Sequence, residues 1–162
     1  MDNMDIKIIL EKYSDMVYRL AVSQLKNKAD AEDIFQEVFI KYIKSGKDFE
    51  NDEHVKAWLI RVTVNFCKKL RKTAWFRHTV PLDERSLDGL TYEDAHEKSG
   101  VYYAVLELPP KYRTVIHLFY YEDMPVAEIS GVLNIKQSTV VSQLRRARNI
   151  LREKLKGEYN YD

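Results

Sequence analysis

Apolar residues recur through this sequence at spacings of three and four positions, which place them on one face of an α-helix. Val17, Leu20, Ala21 and Leu25 form one such stripe, and residues 34–43 form a second, broader one. Only 5 glycines and 4 prolines occur among the 162 residues, too few for the many turns of an all-β fold. The sequence therefore predicts an all-α protein.

Three helices are predicted in the N-terminal part of the chain. The first carries the stripe at 17–25, and the second is expected to begin at Asp30 and to end at Ser45 and Gly46. A third is expected over about 54–72, with a buried seam formed by Ala57, Ile60, Val64 and Cys67. Three packed helices are enough for a small domain over 1–75.

Helical periodicity is lost between 76 and 100, where Pro81, Gly89 and Gly100 interrupt an acidic stretch. It returns at Val101, and further helices are predicted at 112–121, 125–133 and 137–155. The expected fold is thus two small helical domains, 1–75 and 101–162, joined by an acidic linker over 76–100.

Charge is segregated along the chain, although the net charge is only +1. Residues 136–156 carry seven basic residues and one acid, whereas residues 81–97 carry six acids and one base. Such segregation indicates separate surfaces for separate partners.

Nothing in the sequence has the pattern of an enzyme. The four histidines, His54, His78, His96 and His117, lack metal-ligand spacing, and the single cysteine, Cys67, lies on a helical seam. We expect no catalytic site, metal, cofactor or small-molecule substrate. One cysteine, no signal-peptide pattern and no long apolar run together predict a cytoplasmic protein.

Residues 125–140 have the pattern of a helix-turn-helix. Asn134 falls at the turn, where a left-handed backbone is often needed and Asn tolerates it, and Ile135 is expected to fill the corner. The first helix is expected to supply three residues to a core, namely Val126, Ile129 and Leu133.

The second helix of this motif separates an apolar face from a polar one. Its predicted buried stripe is Val140, Leu144, Ala147, Leu151 and Leu155. Ser142, Arg145 and Arg146 face elsewhere, and arginine on such a helix can bond to guanine in the major groove. A basic face that is merely solvated is the alternative interpretation.

Two separate blocks of this sequence resemble one family, the extracytoplasmic-function (ECF) group of bacterial sigma-70 factors. The first comprises residues 30–41 with 57–65, and the second residues 108–113 with 128–129 and 139–148. Both blocks stand in the family's order with an acidic segment between them. The resemblance implies a transcription initiation factor that directs core RNA polymerase to promoters.

The resemblance also implies roles for individual residues of the N-terminal domain. A face of the second helix would dock on a coiled coil of the polymerase largest subunit, through Asp33, Gln36, Glu37, Phe39 and Ile43. A pocket would capture a flipped base of the minus-ten element, with phosphate contacts nearby, through Ser45, Lys47, Phe49, Arg61, Asn65, Lys68, Lys69 and Arg71.

In the C-terminal domain the resemblance implies recognition of the duplex minus-thirty-five element. The matching positions are Gln137, Ser138, Thr139, Val141, Ser142, Arg145 and Arg146. Val141 and Gln143 depart from the family pattern, which usually has basic residues there. The family further implies contact with the polymerase flap, a cognate anti-sigma factor, and a linker whose Asp83, Glu84 and Asp88 imitate RNA charge.

Two rival interpretations come from other functional classes. A free-standing regulator would bind operator DNA as a dimer through the helix-turn-helix, but would not need the docking face at Asp33, Gln36 and Glu37. A polymerase-binding adaptor that never touches DNA would leave the arginine face unexplained. The sequence does not specify the promoter motif, the regulon or the inducing signal.

Overall fold

A computed structural model of the chain describes residues 3–77 and 100–158. The chain divides into two compact units, one containing residues 3–77 and the other residues 100–158. Every regular element in the described ranges is helical, so the predicted all-α fold is confirmed. The acidic linker, including Asp83, Glu84 and Asp88, lies outside the described residues apart from its two ends.

The N-terminal unit consists of α1 (Asn3–Leu25), α2 (Lys28–Ser45) and α3 (Asp52–Arg77). Each of the three helices packs against the other two. Their shared core contains side chains with no solvent exposure, including Val17 and Leu20 of α1, Val38 of α2, and Leu59 and Ile60 of α3. The apolar stripes therefore meet as the periodicity predicted.

Asparagine side chains cap the N-termini of two of these helices. Asn27 Oδ1 accepts a hydrogen bond of 2.9 Å from the backbone N–H of Asp30, so α2 begins two residues earlier than Asp30. Asn51 Oδ1 accepts one of 3.0 Å from the backbone N–H of His54 at the start of α3. Both bonds satisfy N–H groups that have no partner within the helix.

The end of α2 was predicted correctly, whereas the buried seam of α3 was predicted only in part. Gly46 adopts φ +59° and ends α2 in the left-handed conformation that glycine tolerates best. The predicted seam of α3 is wrong in part, because Ala57 and Val64 are only half-buried. Leu59 is fully buried instead, which rotates the packed face slightly around the helix.

The C-terminal unit contains α4 (Gly100–Leu106), α5 (Pro110–Ile116), a π-helical turn (His117–Tyr121), α6 (Val126–Leu133) and α7 (Gln137–Glu158). The π-helical turn continues α5 directly, and the backbone N–H of Glu122 bonds to the carbonyl oxygen of His117 five residues earlier. α7 packs against α4, α5 and α6. It is the helix around which the unit is built.

The core of this unit is formed by side chains from every one of its elements. Leu106, Val115, Leu118, Ile129, Val140 and Ala147 have no solvent exposure. Of the predicted α7 stripe, Val140, Leu144 and Ala147 are buried, whereas Leu151 and Leu155 are half-buried. Similarly, Ile129 of α6 is buried as predicted, but Val132 is buried where Val126 and Leu133 were expected.

Candidate nucleic-acid and protein interfaces

One face of α2 presents acidic, polar and apolar side chains to solvent. Asp33, Gln36 and Glu37 are all exposed. Ile40 and Ile43 follow on the same helix with 48% and 45% of their surfaces exposed, unusually high for isoleucine. A face with exposed apolar residues beside acidic ones is better suited to contact with a protein partner than to exposure to water.

Phe39 is an exception among the predicted docking residues. It is only 5% exposed, and its ring lies 5.0 Å from that of Phe35, centroid to centroid. Its side chain faces the core and presents little surface to a partner, so the predicted contact of Phe39 with the polymerase stays a prediction. Sequence reasoning omitted Ile40, although its spacing from Asp33, Gln36 and Glu37 places it on their face of the helix.

A cluster of three aromatic rings supports the segment between α2 and α3. Phe49 stacks on Tyr42, and both rings lie edge-on to Trp58, each pair with centroids 5.9 Å apart. Ser45 Oγ donates a hydrogen bond of 2.7 Å to the Tyr42 carbonyl oxygen and lies 3.4 Å from the N–H of Lys47. Phe49 is thus half-buried and fixed in place, while Lys47 is exposed.

The outward face of α3 carries Arg61, Asn65, Lys68 and Lys69, all exposed. Arg61, Asn65 and Lys68 succeed one another at helical spacing, so they form one row along the helix. A polar row with several positive charges has the chemistry needed to follow a phosphate backbone.

Arg71 does not belong to that exposed row. Its Nη1 donates a hydrogen bond of 2.8 Å to Gln24 Oε1 in α1, and burial lowers the pKa of its guanidinium. The guanidinium therefore ties α3 to α1. That Arg71 also contacts DNA phosphate stays a prediction.

The turn between α6 and α7 has the predicted left-handed residue. Asn134 adopts φ 56° and ψ 47°, which confirms the prediction. Ser130 fixes the other side of the turn, since its Oγ donates a hydrogen bond of 2.5 Å to the Ile135 carbonyl oxygen. Its own carbonyl oxygen accepts one of 3.2 Å from the N–H of Ile135, which is half-buried at the corner.

The outer face of α7 begins with a row of small polar side chains and continues with arginines. Gln137, Ser138, Val141, Ser142, Arg145 and Arg146 are exposed, and Thr139 is half-buried. Val141, which departs from the family pattern, has 44% of its surface exposed. The structure thus places all seven predicted minus-thirty-five residues on the first turns of one helix.

A small groove of about 290 Å³ borders that face. Its walls are Lys111 and Tyr112 of α5 on one side, and Ser138, Thr139, Ser142 and Arg146 of α7 on the other. The Arg146 guanidinium lowers the pKa of Tyr112, first through a hydrogen-bonding interaction with the phenol oxygen and then through its charge. Sequence reasoning missed Lys111 and Tyr112 as members of this surface.

A second, larger groove lies at the other end of α7. It has a volume of about 880 Å³ and a floor of apolar and aromatic side chains, including Val101, Ile116, Tyr121, Leu151 and Leu155. Basic residues of α7 line it as well, namely Arg148, Arg152 and Lys156. Leu151 and Leu155 are half-buried because they line this groove and not the core.

Buried polar groups hold the base of the C-terminal unit together. Arg113 is 2% exposed, and its Nη1 donates hydrogen bonds to the carbonyl oxygens of Leu106 and Leu108, at 2.9 and 3.0 Å. His117 Nε2 lies 2.8 Å from Glu122 Oε2, and both side chains are almost fully buried. These groups support the fold, since their polar atoms face inward.

No group of three or more histidine, cysteine or carboxylate side chains in 3–77 and 100–158 could hold a metal ion. Over the same residues, no helix has the length and apolar character needed to cross a membrane.

Comparison with known proteins agrees with this division into two helical units. The family described as Sigma-70 region 2 matches residues 9–77, and the family described as Sigma-70, region 4 matches residues 98–151. RNA polymerase sigma factor SigV of Bacillus subtilis (strain 168) is 33% identical over 147 residues, covering 87% of this chain and 85% of the relative. ECF RNA polymerase sigma factor SigW of the same organism is 31% identical over 163 residues, covering 91% and 87%.

A solved structure shares the fold. Sigma factor RpoE from Bartonella quintana, in complex with the anti-sigma factor NepR, matches with a TM-score of 0.72 and 24% identity. The match covers 94% of this chain and 97% of that chain.

A region 2 unit followed by a region 4 helix-turn-helix defines the class of sigma-70-type initiation factors. Within that class, this chain belongs to the ECF group of RNA polymerase sigma factors. The resemblance that the sequence motifs predicted is therefore confirmed.

Proposed function

We propose that this sigma factor acts through three surfaces, each used at a different step of initiation. The exposed face of α2 docks on the largest subunit of core polymerase. The outer face of α7 reads the duplex minus-thirty-five element, and the segment after α2 together with α3 captures a flipped minus-ten base. The polymerase performs the chemistry, so the chain itself is not an enzyme. It works in the cytoplasm, where the polymerase is.

The observation that carries the docking step is the pair of exposed isoleucines on α2. Ile40 and Ile43 stand beside Asp33, Gln36 and Glu37, so the face combines apolar area with negative charge. A basic coiled coil would bury the apolar area and neutralise the negative charge. A free-standing operator-binding regulator has no use for such a face.

Base capture is supported by the fixed aromatic cluster and by the row on α3. Tyr42 and Trp58 hold Phe49 at the side of a short segment that contains the exposed Lys47. Asn65 would hydrogen-bond a base edge, and Arg61, Lys68 and Lys69 would follow the strand's phosphates. Trapping an unstacked base stabilises melted DNA without ATP.

Promoter reading in duplex form is supported by the separation of faces on α7. The inward face fills the core, while Ser142, Arg145 and Arg146 stay exposed near the start of the helix. Residues at the start of such a helix are those that contact base edges in the major groove. Val141 offers an apolar contact suited to a thymine methyl group.

The apolar groove at the far end of α7 supports a second polymerase contact, with the flap. Its half-buried Leu151 and Leu155 would be covered by an apolar helix tip, and Arg148 and Arg152 would face acidic residues on that tip. We also propose that a cognate anti-sigma factor covers these polymerase-binding surfaces, as the relative's complex suggests. The assignment of 76–100 as a linker that imitates RNA charge stays a prediction.

Run-off transcription on a promoter library tests this function. Core polymerase with the protein should yield transcripts whose templates share two spaced elements, and core polymerase alone should not. Glu37→Lys should abolish activity because it removes the net negative charge of the docking face, while the helical circular-dichroism spectrum stays unchanged. Tight binding of the free protein to palindromic duplex DNA, without protein-dependent transcripts, would establish the regulator instead.

A further inference from the structure

The small groove beside the start of α7 is lined in part by Tyr112, which has no role in the function described so far. Tyr112 comes from α5, and the other wall carries Ser138, Ser142 and Arg146 of the reading face. Because α5 packs against α7 in the core, Tyr112 is held at a fixed distance from that face. It is half-buried.

Two cations interact with Tyr112. The Lys111 ammonium is 5.0 Å from the centroid of the Tyr112 ring, within the range of a cation–π interaction. The Arg146 guanidinium is the second cation, and the interaction lowers the pKa of Tyr112. Because Tyr112 and Arg146 line the same groove, the phenol oxygen limits the positions open to the guanidinium.

Limiting the positions of the Arg146 guanidinium matters because this side chain is exposed. A free arginine loses considerable rotamer entropy when it forms a bidentate contact with guanine. A guanidinium already held by a rigid neighbour loses less, and it also reaches fewer base pairs. Holding Arg146 therefore sharpens the choice of base as well as strengthening the contact.

We propose that Tyr112 is a positioning residue for promoter recognition, whose hydroxyl holds Arg146 in the orientation that reads one base pair of the minus-thirty-five element. The inference rests on the proposed function, since it needs α7 to be the reading helix. It predicts that base preference is encoded partly on α5, outside the helix that enters the groove.

The test compares base preferences of holoenzymes in run-off transcription, on promoters randomised across the minus-thirty-five element. Tyr112→Phe removes only the hydroxyl and keeps the ring beneath Lys111, so the fold should survive. Preference for the favoured base at one position should fall about fivefold to tenfold, while other positions keep their profile. Tyr103→Phe removes a hydroxyl from α4 outside this groove and should change nothing.

A double variant separates positioning from simple packing. In an Arg146→Ala background, Tyr112→Phe should have no further effect on the base profile, because the group that it positions is gone. An unchanged profile for Tyr112→Phe, or an equal loss at all promoters, would overturn the role of Tyr112 and leave the proposed function standing. A wild-type protein that fails to support transcription would contradict the proposed function and this inference with it.

Discussion

Arg71 Nη1 donates a hydrogen bond of 2.8 Å to Gln24 Oε1, and this bond joins the C-terminal half of α3 to the end of α1. Gln24 has no solvent exposure, so the contact lies at the edge of the core. Arg71, which the family resemblance assigns to phosphate contact, thus also fixes α3 against α1.

Replacing Arg71 with alanine should lower the free energy of unfolding of the N-terminal unit by about 1–2 kcal/mol, because a buried acceptor loses its charged donor. Urea unfolding followed by tryptophan fluorescence measures this, since both tryptophans, Trp58 and Trp75, belong to that unit. Lys69→Ala removes an exposed cation from the same helix and should change stability by less than about 0.5 kcal/mol. An unchanged midpoint for Arg71→Ala, with weaker promoter binding, would show that Arg71 acts on DNA after all.

Gly46 should tolerate alanine poorly. Its φ of +59° is unfavourable for a residue with a Cβ, although no other atom lies within 4 Å of where that Cβ would be. Gly46→Ala should therefore cost about 1 kcal/mol of stability from backbone strain alone, and Gly46→Asn should cost less. Equal costs for the two variants, measured by the same tryptophan signal, would argue against left-handed strain as the cause.

Ile40→Ser should weaken binding to core polymerase about tenfold or more, since it removes apolar area that the partner covers. Stability should stay within about 0.5 kcal/mol of wild type because Ile40 is exposed. A titration of labelled protein with core polymerase measures the affinity. Ile8→Ser is the matched control, because Ile8 is an equally exposed isoleucine on α1 outside the face. Similar losses for both variants would mean that the effect is not specific to α2.

Arg146→Ala should reduce promoter discrimination by about 1–3 kcal/mol at a single base pair of the upstream element. The readout is relative run-off activity on promoters that differ at one position at a time. Lys136→Ala removes a nearby exposed charge and should lower activity evenly on all promoters, more so at high salt. If Arg146→Ala also acted evenly, Arg146 would be a phosphate contact and not a base reader.

Features fixed by local chain geometry could be predicted from the sequence. Asn134 was expected to be left-handed at its turn because few other residue types accept that conformation, and Gly46 was expected to end α2; both residues are left-handed. The inward row Val140, Leu144 and Ala147 followed directly from helical spacing. Each of these predictions needs only the residues of one segment.

Features that depend on a second segment could not be predicted. The tie from Arg71 to Gln24 and the position of Tyr112 beside Arg146 require knowing how helices distant in sequence pack. The π-helical turn at 117–121 was predicted as ordinary helix, because its apolar and aromatic residues keep the same spacing. Its distinguishing contact, between His117 and Glu122, is buried and has no signature in composition.

Phe39 and Ile40 are adjacent residues of one helix, yet different constraints limit their replacement. Phe39 is closed into the core, so its replacement is limited by whether this chain still folds. Ile40 is open to solvent, and under the proposed docking its replacement is limited by the shape of the polymerase surface. Over evolutionary time, position 39 should therefore vary with its neighbours inside the same chain, and position 40 should vary in step with the polymerase.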